Sequence, residues 1–299
     1  MRAAFSAMSP RSSVAVLPNR GVTDVRRMSA LLVLVMLTLA ACSSSAKSSS
    51  GTGTTTTVAR AGTTTTIVSK PLHILVTNDD GVAAPGIDAI VEALRKLPDT
   101  TVTVVAPAKN QSGAGSKTTP GRLTATDTTT AGGYPAKAVN GYPADTIAYA
   151  LDQHGIETRP DLVISGINMG QNLGMLIDVS GTVGAARAAA QRGLPALAVS
   201  QGLATAPQTP DYQSGVTAAL DWVAKHRDSL TAATVTNLNI PTCPNGKPRA
   251  VVVVPVDDRA NGIGQVDCVA PFPPPKSDVE AFLHGYVAET DNLPLRATR

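Results

Sequence analysis

The stretch that most constrains this chain is His73-Ile-Leu-Val-Thr-Asn-Asp-Asp-Gly-Val82, where an apolar, β-branched run passes directly into an amide, two adjacent carboxylates and a glycine. A short apolar run closed by a turn signal reads as a buried strand of a parallel sheet. Asn78, Asp79 and Asp80 then fall just past its carboxyl end, the edge at which open α/β sheets bind ligands. The plainer alternative is a tight turn at Asp80-Gly81 with Asn78 capping it.

Downstream of Gly81 the strand-then-helix pattern repeats. Ile87, Ile90, Val91, Leu94 and Leu97 recur at helical spacing behind Pro85, so residues 85 to 97 read as an amphipathic helix crossing back over the sheet. Thr101 to Val105 is the second strand of a right-handed β-α-β unit, and a polar loop from Pro107 to Pro120 leaves its end. Helices are expected at 144–152, 182–192 and 212–227, and strands at 161–165, 197–200, 234–240 and 250–256. The fold class is therefore α/β, a Rossmann-like three-layer sandwich around a mostly parallel sheet. From Asp257 onward Gly and Pro are frequent, and the chain reads as loops and short extended pieces packing on the main body or on another subunit.

The front of the chain is of another kind. Arg26 and Arg27 precede the apolar run Met28 to Cys42, a secretory signal with a basic flank and a core short for a membrane span. Its end, Leu39-Ala40-Ala41-Cys42, resembles a bacterial lipobox, so residues 1–42 are expected to be a signal peptide and Cys42 the lipidated first residue of the mature protein. The leader before Arg26 is long for such a signal, and Met8 is an alternative start; a start at Met28 would discard the basic flank. Residues 43–70, rich in Ser, Thr, Ala and Gly, read as a disordered tether. The expected location is the outer face of the bacterial cell membrane, reached by a lipid anchor.

Without leader and tether the charge changes sign. The whole chain carries a formal +3, whereas residues 71–299 contain 17 Lys and Arg against 21 Asp and Glu, a formal −4. A mildly acidic body argues against a nucleic-acid duplex as the main partner, because a duplex demands clustered positive charge. Of the three cysteines Cys42 is taken by the lipobox, and outside the cytoplasm the remaining pair, Cys243 and Cys268, is expected to form a disulfide.

Three polar loops leave three strand ends: Asn78-Asp79-Asp80-Gly81, Asn110-Gln111-Ser112-Gly113 and Ser165-Gly166-Ile167-Asn168. A fourth element, Ser180-Gly181-Thr182, opens a helix. Carboxylates, a hydroxyl and an amide oxygen converging on one edge suit a hard divalent cation such as Mg²⁺, Mn²⁺ or Ca²⁺. A helix start with hydroxyls beside it is an anion site, although Ser180 or Thr182 taken alone reads more simply as an N-cap. No histidine falls in these loops, Asp178 is a candidate general acid that reads more simply as a solvated loop carboxylate, and Trp222 reads as core.

Taken in order, Asn78-Asp79-Asp80-Gly81, Ala84-Pro85-Gly86-Ile87, Val105-Ala106-Pro107, Asn110-Gln111-Ser112-Gly113-Ala114, Ser165 through Gly174 and Ser180 through Ala186 resemble the SurE family of metal-dependent nucleotidases and phosphatases. The resemblance runs from about residue 72 to Ser200 and continues weakly through Thr236 to Pro241 and Gly285-Tyr286-Val287. It implies Asp79, Asp80, Ser112 and Asn168 as ligands of one divalent cation per subunit, Asn78 and Asn172 as phosphate-positioning groups, and Ser180, Gly181 and Thr182 as receivers of its oxygens. It further implies hydrolysis of nucleoside monophosphates by metal-assisted attack of water on phosphorus, in a homodimer or tetramer. The chain departs from the family where an aromatic residue usually precedes Ser-Gly-Thr (Val179), where an acidic pair is often seen (Met175-Leu176), and where Arg usually follows the loop Asn (Gln111). From a different class, an exported solute-binding lipoprotein or an inactive scaffold would bind metal or phosphate without turnover.

Overall fold

The computed structural model describes residues 70–204, 210–231 and 233–296. The signal segment, Cys42 and nearly all of the tether lie outside these residues. The described part holds nine strands: β1 (Leu72–Thr77), β2 (Thr100–Pro107), β3 (Ala125–Thr129), β4 (Pro135–Val139), β5 (Leu162–Met169), β6 (Ala196–Gln201), β7 (Val235–Ile240), β8 (Arg249–Val253) and β9 (Tyr286–Thr290). Five α-helices join them: α1 (Pro85–Leu94), α2 (Pro143–Asp152), α3 (Gly181–Ala190), α4 (Tyr212–His226) and α5 (Asp278–Leu283).

One sheet runs in the order β3-β4-β2-β1-β5-β6-β7-β9-β8. The strands from β4 to β7 are parallel, and β3 and β9 are antiparallel to their neighbours β4 and β7. Connections run outward from β1 to β2 on one side and resume at β5 on its other side, so the order reverses at β1/β5. Such a switch point leaves a crevice at the carboxyl ends of the two strands.

Alternation along β1 explains the three layers. Ile74 and Val76 point into a core built with Ile87, Ile90 and Leu94 of α1 and Val216 and Trp222 of α4. Leu75 points the other way, onto Ala144 and Ile147 of α2 and Val183 and Ala186 of α3. Because both faces are covered, β1 reads as a continuous apolar run rather than an alternating one. Each such side chain contributes about 1.5–3 kcal/mol by leaving water, and cutting Ile87 back to alanine is expected to cost about 2–5 kcal/mol. Trp222 is core, as its sequence position implied.

Two regions depart from the sequence-based expectation. Residues 125–139, assigned to no element by their pattern, form the β3-β4 hairpin, whose first strand Ala-Thr-Asp-Thr-Thr is almost wholly exposed and carries no apolar signal. The C-terminal stretch, expected to be loops and extended pieces, contributes α5 and β9, and β9 inserts between β7 and β8. β8 therefore pairs with β9 and runs against the parallel strands instead of extending them. A disulfide joins Cys243 to Cys268, with Cα atoms 5.8 Å apart.

Candidate active site

The end of β1 is held in place by its own loop. The Asn78 amide donates to the Gly81 carbonyl (2.9 Å) and accepts from the Gly81 N–H (3.2 Å), so both ends of this buried side chain are spent closing the turn. The turn reading of Asn78 thus holds: its amide is committed to the turn that presents the carboxylates, not turned outward toward a phosphate. The neighbouring β2 loop is fastened to it by the Gln111 N–H, which donates to the Asp79 carbonyl at 2.7 Å.

Asp79 is buried and Asp80 half-buried. The Thr182 hydroxyl donates to Asp79 Oδ1 at 2.7 Å. Burial pushes the Asp79 carboxyl up to about 6; the Thr182 hydrogen bond opposes this and the charge of Asp80 adds to it. Asp80 accepts from the Met169 N–H (2.9 Å) and the Asn110 amide (3.3 Å), and burial raises its pKa as well. Among the described residues no ion pair reaches either carboxylate.

β5 supplies the opposite wall. Its pairing with β6 is regular up to Ser165–Ala198 and resumes at Asn168–Ser200, so Gly166 and Ile167 form a bulge that re-aims the strand end. A Cβ on Gly166, whose φ is +137°, would lie 2.3 Å from the Val199 carbonyl, so only glycine fits there. Beyond the bulge the Asn168 amide donates to the Gly170 carbonyl at 2.7 Å, which fixes the side chain and leaves its oxygen uncommitted to that bond.

α3 closes the site. Ser180 caps it by accepting from the Val183 N–H (3.1 Å), and Thr182 in the first turn holds Asp79. The helix start comes this close because residue 181 is glycine: a Cβ would lie 2.7 Å from Asp79 Cβ. Asn172 ties this element to the sheet, its amide donating to Ser200 Oγ (2.8 Å) and Thr182 Oγ1 (3.4 Å). Its backbone is in turn gripped by β7, with its N–H on Asn239 Oδ1 (2.8 Å) and its carbonyl accepting from Asn237 (2.8 Å) and Asn239 (3.2 Å).

Asp79, Asp80, Asn168, Asn172, Ser180, Gly181 and Thr182 thus belong to the elements lining the crevice at the carboxyl edge. Ser112 is exposed on its loop, its fixed contact being the backbone N–H on Asn110 Oδ1 (2.9 Å). Asp178 is not the solvated loop carboxylate that its sequence position suggested: its side chain is largely buried and paired at 2.8 Å with the buried Arg187 guanidinium, a pairing that does not support the general-acid alternative either. Sequence reasoning missed Asn237, Asn239 and Ser200; two asparagines spaced by two in an otherwise apolar strand were the available signal.

Residues 74–261, which span this crevice, match the model of the survival protein SurE family. The chain belongs to the SurE family. Its SurE relatives named 5′-nucleotidase include one from Methanocella arvoryzae, 43% identical over 47% of this chain and 55% of that protein. Another, from Moorella thermoacetica, is 40% identical over 62% of this chain and 70% of that one. The chain thus spans little more than half the length of the first relative. The crystal structure of the SurE protein from Aquifex aeolicus superposes with a TM-score of 0.60 at 30% identity, covering 76% of this chain and 95% of that one. That likeness agrees with the α/β architecture described above.

The donor set suits a hard cation. Among the described residues no cluster of three or more His, Cys, Asp or Glu stands ready for a metal. What the crevice offers is two adjacent carboxylates, one of them buried, and the amide oxygen of Asn168. That is an all-oxygen set suited to Mg²⁺, Mn²⁺ or Ca²⁺ and a poor one for zinc. Larger hollows of about 550 and 900 Å³ lie at the opposite, amino edge around Lys70, His73, Arg159 and Asp161. They lack such a pair, and they are at the wrong end of the strands for ligand binding in this fold class.

Proposed function

We propose that the protein is a metal-dependent phosphomonoesterase acting on nucleoside monophosphates, with the crevice at β1/β5 as its active site. The observation that carries this reading is the Asp79-Asp80 pair at the switch point, facing the first turn of α3. Asp79, Asp80 and the Asn168 oxygen would hold one divalent cation, with Ser112 reaching in from the β2 loop. A cation bound there neutralises phosphate charge and lowers the pKa of water. Thr182 keeps Asp79 oriented, and Asn172 keeps Thr182 in place. The first-turn N–H groups of α3 favour a phosphate oxygen through the helix dipole. Names of relatives support the activity, and the chemistry of the donor set supports the metal.

The same reading places the protein outside the cytoplasm on a lipid anchor at Cys42, supported by the signal-like segment Arg26 to Cys42 and by the Cys243–Cys268 disulfide. It also takes the active form as a dimer or tetramer, which the exposed Val251 and Val253 on edge strand β8 support. Metabolic lipid labelling that disappears in Cys42→Ala tests the anchor; no label in the wild type removes it. Light scattering tests the assembly.

The activity itself is tested by phosphate release from nucleoside monophosphates and glycerol phosphate with Mn²⁺, Mg²⁺, Ca²⁺ or chelator. Turnover that needs the metal and is lost in Asp80→Asn is the expected result. Absence of turnover with every ion, from folded protein, would leave a binding scaffold instead.

A further inference from the structure

Away from the crevice, the stretch Pro271-Phe272-Pro273-Pro274-Pro275-Lys276 between β8 and α5 belongs to no helix or strand, yet it is pinned at both ends. Each proline fixes φ near about −65° and drives the residue before it into extended backbone, so this sequence dictates a polyproline II helix. Such a helix has about three residues per turn, which places residues i and i+3 on one edge. Burial follows that period. Phe272 and Pro275 are half-buried, whereas Pro271 with Pro274, and Pro273 with Lys276, form two exposed edges.

The inward edge is fastened to the body. The Phe272 ring stacks on His284, with centroids 3.4 Å apart and planes 12° from parallel. The Tyr286 hydroxyl donates to the Phe272 carbonyl at 3.5 Å, and at the far end the Lys276 N–H donates to Glu280 Oε2 at 2.8 Å. Just upstream, Asp267 Oδ1 accepts from the N–H groups of Val269 (2.8 Å) and Ala270 (2.9 Å), and Cys268 is held by the disulfide. Among the described residues no backbone–backbone hydrogen bond reaches residues 271–276, so the prolines and these anchors supply the order. The Lys276 ammonium, on an exposed edge, enters no ion pair among the described residues.

An already ordered polyproline II helix with two open edges suits a groove lined by aromatic rings, because binding it costs little further entropy. In Pro271-x-x-Pro274-x-Lys276 a cation follows the second proline of one open edge, and it calls for acidic side chains at that end of the groove. We propose that this strap is a docking ligand for a protein module whose aromatic-lined groove ends in an acidic pocket. None of its residues lines the β1/β5 crevice, so docking is measurable apart from turnover. The probe is an isotope-labelled SH3 domain that reads P-x-x-P-x-K peptides, titrated with the purified, unlabelled protein and followed by heteronuclear NMR. Shifts at the aromatic residues of the SH3 groove are the expected result. Joint replacement Pro271→Ala with Pro274→Ala should weaken binding at least about tenfold, the scale of losing an interface anchor, while keeping the wild-type circular dichroism. Lys276→Glu, a change at an exposed position, serves as a second variant and should weaken binding severalfold and abolish its dependence on salt. No shift with the wild type, or undiminished binding by both folded variants, would overturn the proposal. So would a double variant that scatters light as a smaller assembly than the wild type, because the strap would then be a contact between copies of this chain.

Discussion

Two of the buried carboxylates of this molecule, in different regions, are used in opposite ways. At the β1/β5 crevice Asp79 lies beside a second acid, Asp80. In the C-terminal region Asp278, at the start of α5 and fully buried, is wrapped by three backbone N–H groups. Gly174 donates to it at 2.9 Å, and Asp257 and Val279 at 2.8 Å. Burial raises the pKa of both. Asp278 is a brace: its hydrogen bonds join three stretches of chain and leave little for a ligand to add. The Asp79-Asp80 pair concentrates negative charge that the protein does not neutralise with a cation of its own among the described residues. A satisfied buried carboxylate marks structure, and an adjacent pair at a strand end marks a cation site.

The sharpest way to break this contrast is substitution at both places. Asp79→Asn or Asp80→Asn should cut metal-dependent phosphate release on the order of a thousandfold, while the melting temperature of the metal-free protein stays level or rises because a buried charge has gone. A large drop in melting temperature would make Asp79 a brace too. Next in size is the disulfide that stitches the C-terminal region. Cys243→Ser with Cys268→Ser should lower stability by about 3 kcal/mol in denaturant titrations and leave kcat near that of the wild type. Asp278→Asn keeps one acceptor and turns a donor toward the Gly174 N–H, so about 2 kcal/mol of stability should be lost with metal affinity retained.

The smallest effect lies in the pH dependence of that last difference. Burial, its largest cause, holds the Asp278 pKa above the ordinary 3.8, although the three N–H groups pull it down. The folded protein therefore keeps a proton that the unfolded chain has already lost, and the stability owed to this group falls as pH rises through the interval above 3.8. Asp278→Asn has no such slope, so its deficit relative to the wild type should shrink as pH rises above 3.8 in urea titrations. A deficit that widens would mean that the ionised form is the stabilised one.

How far these regions could be read in sequence depends on what each buries. β1, β2 and β5 are covered on both faces, so they stand out as apolar runs, and the loops after them carry their polar residues in one short stretch each. The placement of Asp79, Asp80 and Asn168 at strand ends was legible for that reason, whereas Asn172 entered only through the family resemblance. β3 was not, because its residues face water and only Gly132-Gly133 hints at the turn to β4. β9 was hidden as well: its five residues gain their place from pairing with β7 and β8, which local pattern does not encode. The pairing of Asp178 was not legible, because its partner Arg187 lies two turns along a helix whose register could be placed only in three dimensions. Asn237 and Asn239 lay inside a correctly placed strand, and their grip on Asn172 is a contact between residues more than sixty positions apart.

The central claim is that Asp79 and Asp80 together form a divalent-cation site, and Mn²⁺ binding followed by electron paramagnetic resonance on the purified protein tests it most directly. The account predicts one Mn²⁺ per chain, lost in Asp79→Asn and in Asp80→Asn while both variants keep the wild-type circular dichroism, and retained in Asp278→Asn. Mn²⁺ bound equally by the wild type and by folded Asp79→Asn and Asp80→Asn would contradict it.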